Sequence, residues 1–436
     1  MKIKRRHIAY IAVFAALLLL LYLLLVFTAV IPNSTIKKNM RKSATYFATA
    51  DHYAFSEDGL FRNITDNHAD RMWVNIGWNM GHGNPFLSAL DTDYYASPDH
   101  GPEMSLFLSV ALDEDANTDY TRYWHGTAGL IRLLHLFTDI HGVKTVGMLC
   151  LVLLLGRTLW VLYRRGHWDL SLCLLISLLL VQIWNLRLSV EYQPCFLICF
   201  ALCPAFLRAE KQGNFYLNLL AIVSGTLTAF FDFLTTETVT ILIPLILVTA
   251  IRSRECRLGS PKKTMRFLLH CGLCWALAYL GTFAVKWCAV SLATGSNHFI
   301  TAMHSVGQRV GGAVTEGNTN KMPGMLMAIG SNLSVIFEGT SRTEYRNAIS
   351  NLMIIAILIF VVWRMYRVRK TLRPGTGFIL LLGGVVLLRF GLLANHSYLH
   401  SFFTYRALAS TIFAVLAAML INLHTRKRGG GRSHWS

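Results

Sequence analysis

Apolar residues in this chain collect in long unbroken runs separated by polar stretches, with no ten-residue segments of strict alternation. The first run covers residues 7–31, behind the basic leader Lys2, Lys4, Arg5 and Arg6. A hydrocarbon core of about 30 Å takes about twenty apolar residues per helix, so this run reads as a membrane span. It exceeds the roughly 7–15 residues of a signal-peptide core, and no small-residue cleavage pattern follows Pro32, which argues against a cleaved leader. Further runs predict spans near 143–163, 168–187, 190–207, 214–231, 237–251, 267–290, 349–366, 376–393 and 405–423. Lipid tolerates no unpaired backbone, so without barrel-like alternation the expected fold is all-α: a polytopic transmembrane helical bundle of about ten spans.

The polar stretches complete the expected layout of a single integral membrane domain, 1–436. Residues 32–124 form a long first loop with interfacial helices, 125–290 a transmembrane bundle, and 291–348 a second loop rich in Gly, Ser, Thr and Asn. Residues 349–423 carry the last three spans and 424–436 a basic tail. Composition agrees, at 54% hydrophobic and only 15% charged. The net charge of +18 is distributed by position: basic clusters stand at Arg164–Arg165, Arg208–Lys211, Arg252–Lys263, Arg364–Arg373 and Arg426–Arg428, whereas thirteen of the twenty-three carboxylates lie within 32–124. By the positive-inside rule both termini are cytoplasmic, the acidic loop is extracytoplasmic, and the charge reports multi-pass topology in a cell membrane, with no nucleic-acid partner. None of the nine cysteines falls in the large outer loops, so no structural disulfide is expected. Cys271 and Cys274, and the helically spaced Cys195, Cys199 and Cys203, read as packing residues.

Candidate chemistry gathers in the outer segments. Asp66 and Asp70 share one face if helical, where one carboxyl takes a raised pKa and the other stays ionised; such a pair serves as a general base or holds a divalent cation. The competing reading makes Asp66 a helix cap and leaves Asp70 to Arg71 or solvent. Arg122-Tyr123-Trp124-His125 precedes an amphipathic stretch read as an interfacial helix, with Arg122 and His125 available to a lipid phosphate. Arg187 and Glu191 read as an internal ion pair, while Asp232 interrupts an apolar stretch and is the stronger site candidate. In 395–406, His396 and His400 stand four apart and Arg406 opens the last span; anion recognition is preferred there over zinc, because the pair lacks a nearby Glu. Lys286 is a further cation, equally explained by snorkelling. The second loop has the composition of a mobile lid. No Walker loop, GxGxxG or GxSxG element is present, which excludes the usual nucleotide, nicotinamide and serine-esterase sites.

A first span, a long acidic loop with interfacial helices and a many-helix bundle together resemble the GT-C class of membrane glycosyltransferases. More closely, Asp66-Asn67 with Asp70, the Arg122 to Gly126 stretch, Phe231-Asp232-Phe233-Leu234-Thr235, and the run from Asn395 to Arg406 look like patterns in uncharacterised bacterial multispan proteins near that class. The resemblance implies transfer of a sugar from a polyprenyl-phosphate donor to an envelope glycan, lipid or protein acceptor at the extracytoplasmic face. Asp66 or Asp70 would be the base, and Arg122, His125, Asp232, His396, His400 and Arg406 would bind substrate. The acids depart from the family pattern in being spaced DxxxD, about thirty-five residues beyond the first span, instead of forming an adjacent or DxD pair. The alternatives are a transporter or flippase for a lipid-linked sugar, or a non-catalytic membrane subunit of an envelope-assembly complex.

Overall fold

The computed structural model describes residues 2–56, 59–311, 321–338 and 372–423, together with Leu352, Ala356, Ile359, Trp363 and Arg367. The first half of this chain runs through α1 (Lys2–Ala29), α2 (Asn33–Thr49), α3 (Asn67–Asn79), α4 (Pro85–Asp91), α5 (Pro102–Leu112), α6 (Gly126–Leu134), α7 (Ile140–Arg164), α8 (Trp168–Leu180) and α9 (Pro194–Ala209). There follow α10 (Asn214–Phe231), α11 (Val239–Arg254), α12 (Pro261–Thr294), α13 (His298–Gly311), α14 (Lys321–Ile336), α15 (Thr376–Leu392), α16 (Ala394–Leu399), α17 (Ser401–Thr404) and α18 (Leu408–Leu423). The sheet among the described residues is one antiparallel hairpin, β1 (Tyr53–Phe55) and β2 (Ile64–Asp66), with Tyr53 opposite Asp66.

Among the described residues, six helical segments are long and apolar enough to cross a membrane: Arg6–Ala29, Ile140–Arg164, Val190–Ala209, Asn214–Phe231, Pro261–Thr294 and Ser401–Asn422. Three other expected spans are shorter helices. The run at 168–187 stops as an α-helix at Leu180, because Gln182 turns left-handed (φ 52°) and the chain continues as a tight 3-10 turn, Ile183–Arg187. The runs at 237–251 and 376–393 become α11, 16 residues, and α15, 17 residues. An apolar run fixes hydrophobicity, not helix length, and α11 is buried on nearly every face by its neighbours. Most of the run at 349–366, and the tail at 424–436, lie outside the described residues.

The second loop also differs from expectation, since it contributes α13 and α14. Asn332 on α14 is fully buried, donates to the Ser397 carbonyl (2.7 Å) and accepts from Thr404 Oγ1 (2.6 Å), which docks α14 against α16 and α17. Part of the polar content that read as mobility is instead spent on these buried hydrogen bonds.

Two devices set the packing, one at the first loop and one within the bundle. Arg132 of α6, wholly buried, donates to Thr28 O (2.8 Å), Asn33 Oδ1 (2.7 Å), Gly77 O (2.9 Å) and Ile31 O, and so joins the α1–α2 elbow to the end of α3. Gly225 brings α10 against α12: a β-carbon there would sit 2.3 Å from the Trp275 carbonyl oxygen.

Candidate functional site

Asp66 closes β2 and caps α3, accepting the Ala69 amide at 2.9 Å, while its own amide donates to Ser189 Oγ at 2.7 Å. Both earlier readings of the acid pair therefore hold in part: Asp66 is a cap, and one helical turn sets Asp70 beside it. Asp70 is fully buried, but its partner is neither Arg71 nor solvent. Lys144 Nζ, near the start of α7, stands 2.9 Å from it, and the Val190 amide donates to its other oxygen at 2.8 Å. The turn before α9 is thereby clamped onto the first turn of α3.

That turn carries Glu191, 1% exposed, whose Oε1 has no hydrogen-bond partner. Glu191 lies within electrostatic range of Asp66, Asp70, Asp232 and Arg406, so groups distant in sequence meet at one corner. The expected Arg187–Glu191 pair does not form. The 3-10 turn points Arg187 outward and Glu191 into the bundle.

Burial without compensating water disfavours ionised carboxylates. It drives Asp66 up to about 7, with the neighbouring Asp70 adding to the effect and the Ala69 amide and Lys144 opposing it. Asp70 is raised by burial too, against the pull of Lys144 and of the Val190 and Glu191 amides. Asp232 is pushed up to about 6 by burial and then by Glu237; it ties its own turn by accepting from Thr235 N (3.0 Å) and Thr235 Oγ1 (2.5 Å). The Glu237–Arg389 ion pair, 2.7 Å, holds this turn against α15.

Beside the acids opens a cavity of about 720 Å³ lined by Tyr46, Thr65, His141, Lys144, Met148 and Arg187, among others. Thr65 immediately precedes Asp66, and Lys144 contacts Asp70, so the cavity wall adjoins the acid pair, while neither carboxyl itself lines the cavity. Three basic side chains and an apolar flank suit an anion carried on a lipid.

The remaining candidates divide. Arg406 reaches the acid corner: buried, 4.4 Å above the Tyr192 ring, it donates to Phe402 O (3.3 Å) and Arg62 O (3.2 Å), and Tyr192 in turn donates to Ile64 O (3.0 Å). His396 donates to Leu234 O (2.8 Å), and its ring lies 4.7 Å from that of His400. Burial, reinforced by nearby cations, holds both imidazoles below their usual pKa, so both are neutral hydrogen-bonding groups and not phosphate-charging cations. His125 is a correction. Its Nδ1 accepts from Trp73 Nε1 (3.2 Å) and its Nε2 donates to Tyr120 O (3.1 Å), so both ring nitrogens are engaged by protein and neither is offered to a lipid phosphate. Arg122 stands 4.7 Å over the Tyr120 ring and donates to Ser305 on α13 (3.3 Å), within an aromatic cluster that includes Tyr123 and Phe233. Lys286 does not snorkel: fully buried, it donates to Leu90 O and to Thr92 Oγ1 (3.2 Å), fixing the first loop. Among the described residues no three His, Cys, Asp or Glu side chains are grouped to hold a metal ion, and Asp70 is already occupied by Lys144.

Lys144 and Glu191 are the residues that sequence reasoning left out of the site. Lys144 had one signal, a lone cation inside the first turns of an otherwise apolar run; Glu191 had been assigned to the wrong partner. No family model, curated protein or solved structure matches this chain.

Proposed function

We propose that this protein is a multi-pass membrane glycosyltransferase of GT-C type, which takes a sugar from a polyprenyl-phosphate donor and passes it to an envelope glycan, lipid or protein acceptor on the extracytoplasmic face. The observation that carries the reading is the adjacency of a buried acid pair to a cavity lined by basic side chains, with Thr65 next to Asp66 and Lys144 paired to Asp70. Asp66 is the base, because its proton affinity near neutrality suits it to accept a proton and because Asp70 is committed to Lys144. Lys144, Arg187 and His141 hold the donor phosphate, taking over the role first given to the His396–Arg406 segment. In the transfer, the acceptor oxygen bonds to the anomeric carbon and loses its proton to Asp66. The bond from that carbon to the phosphate oxygen breaks, and the phosphate leaves with the electron pair. Arg406 positions the corner from behind Tyr192.

A translocation reading draws on the buried ionisable groups that run from Asp66 through Glu191 and Asp232 to Arg389. Reconstitution into liposomes with labelled lipid-linked sugars separates the two. Glycosyl transfer that is abolished by Asp66→Asn and weakened in donor affinity by Arg187→Gln is the expected result. Movement of donor between leaflets with no product, across glycan, lipid and protein acceptors, would replace the transferase with a flippase.

A further inference from the structure

At the end of the bundle opposite the acids, α1, α10 and α12 enclose a second cavity, about 560 Å³, lined by Arg6, Tyr10, Phe215, Lys263, Arg266 and His270 among others. The 18 residues of α10 place it about 27 Å from Asp232, close to the thickness of a hydrocarbon core. A neighbouring cavity of about 440 Å³ continues it past Lys262 and shares Arg266 and His270.

Charge distinguishes this place from the paired arginines of the same basic end. Arg252 and Arg257 are ion-paired to the buried Glu210, and Arg254 to Asp169. No carboxylate lines either cavity, and among the described residues Arg6, Lys263 and Arg266 have no acidic partner within 4.0 Å. The basic end thus contains arginines neutralised within the protein and a separate set left uncompensated around a concavity. Its floor is built: Tyr10 stacks on Phe215 at 5.5 Å, Arg6 lies 5.8 Å over the same ring, and Asn218 donates to the Tyr10 hydroxyl (3.0 Å) while accepting from Cys271 Sγ (3.0 Å). Apolar side chains flank it outside the protein: Ile8 and Ile11 on α1, and Leu269 and Leu273 on α12, are each more than half exposed. Exposed aliphatics beside unpaired guanidinium groups match a ligand with acyl chains below and a phosphate above.

We propose that this cavity binds the headgroup of an anionic phospholipid from the leaflet opposite the acid site, with its chains along Ile8, Ile11, Leu269 and Leu273. The forked Arg6 and Arg266 contact the phosphate oxygens, and Lys263 supplies a further charge. The site does not depend on the transferase reading.

Native mass spectrometry of the full detergent-solubilised chain tests this, with phosphatidylglycerol, phosphatidylcholine and inorganic phosphate as separate probes. Retention of phosphatidylglycerol over phosphatidylcholine is expected, falling about tenfold or more in the triple variant Arg6→Gln, Lys263→Gln, Arg266→Gln. Removing three charges could also reorient helices, so a charge-preserving variant, Arg6→Lys with Arg266→Lys, is measured beside it and should weaken binding several-fold. An Arg254→Gln control, which removes a guanidinium already paired to Asp169, should leave lipid retention unchanged. Equal retention of the two lipids, or wild-type affinity in both cavity variants, overturns the proposal. Full displacement of phosphatidylglycerol by inorganic phosphate would mean that free phosphate is the ligand and would overturn the lipid assignment.

Discussion

Asp66 connects stability and activity with opposite signs. Its carboxyl is raised from 3.8 to about 7 by burial, so the folded state binds its proton more tightly than the unfolded chain does. The stabilisation this gives is complete below about pH 4 and lost as pH rises through about 7. Base catalysis needs the ionised form and gains over the same window. Thermal melts in detergent are therefore expected to show Tm falling between pH 4 and 7, and Asp66→Asn, which keeps an amide-accepting oxygen for the cap, should flatten that slope while abolishing transfer. An unchanged slope in the variant would remove Asp66 as the titrating group. Lys144 has the complementary character: Lys144→Met strands a buried carboxylate and is expected to cost about 3–5 kcal/mol, read as a lower Tm that recovers when Asp70→Asn is added.

Between elements, a few close approaches position the site. Arg132 gathers carbonyls from the α1–α2 elbow and the end of α3, which is the helix whose first turn carries both acids. Arg132→Leu keeps bulk but leaves those carbonyls unsatisfied in a buried place, and a loss of about 3 kcal/mol or more is expected, measured as a drop in Tm and faster proteolysis of the 32–124 segment. Gly225 has the corresponding role where α10 meets α12. Here Gly225→Val forces the helices apart, with an expected cost of about 1–3 kcal/mol. Both changes lie away from the acid corner, so activity lost in step with stability identifies them as structural.

For the whole molecule, the two cavities stand at opposite ends of the helices, one beside carboxylates and one among uncompensated cations. By the positive-inside rule Asp99 and Cys256, both exposed to label, are expected on opposite faces of the membrane. In a chain with Cys150 and Cys288 replaced, a membrane-impermeant thiol reagent added to intact cells should label Asp99→Cys and should reach Cys256 only after permeabilisation. Labelling of both from one side would overturn the topology and the leaflet assigned to each cavity.

Hydrophobic runs by themselves determined that the protein is helical, because burial of apolar surface and pairing of backbone in lipid are local demands, but they marked about ten spans where six helices among the described residues have membrane length. The runs did not determine helix length where a turn interrupts them, as at Gln182, or where neighbours cover a short helix on nearly every face, as with α11. The acid pair was legible for the same local reason, since i and i+4 spacing on a capped helix is written in consecutive residues from Asp66 to Asp70. Partners were not legible. That Lys144 would neutralise Asp70, that Glu191 would turn inward while Arg187 faced the cavity, and that His125 would spend both nitrogens on Trp73 and Tyr120 depended on which chain segments met. A buried charge takes its state from whatever the fold brings within a few ångströms, and only the tertiary structure decides that.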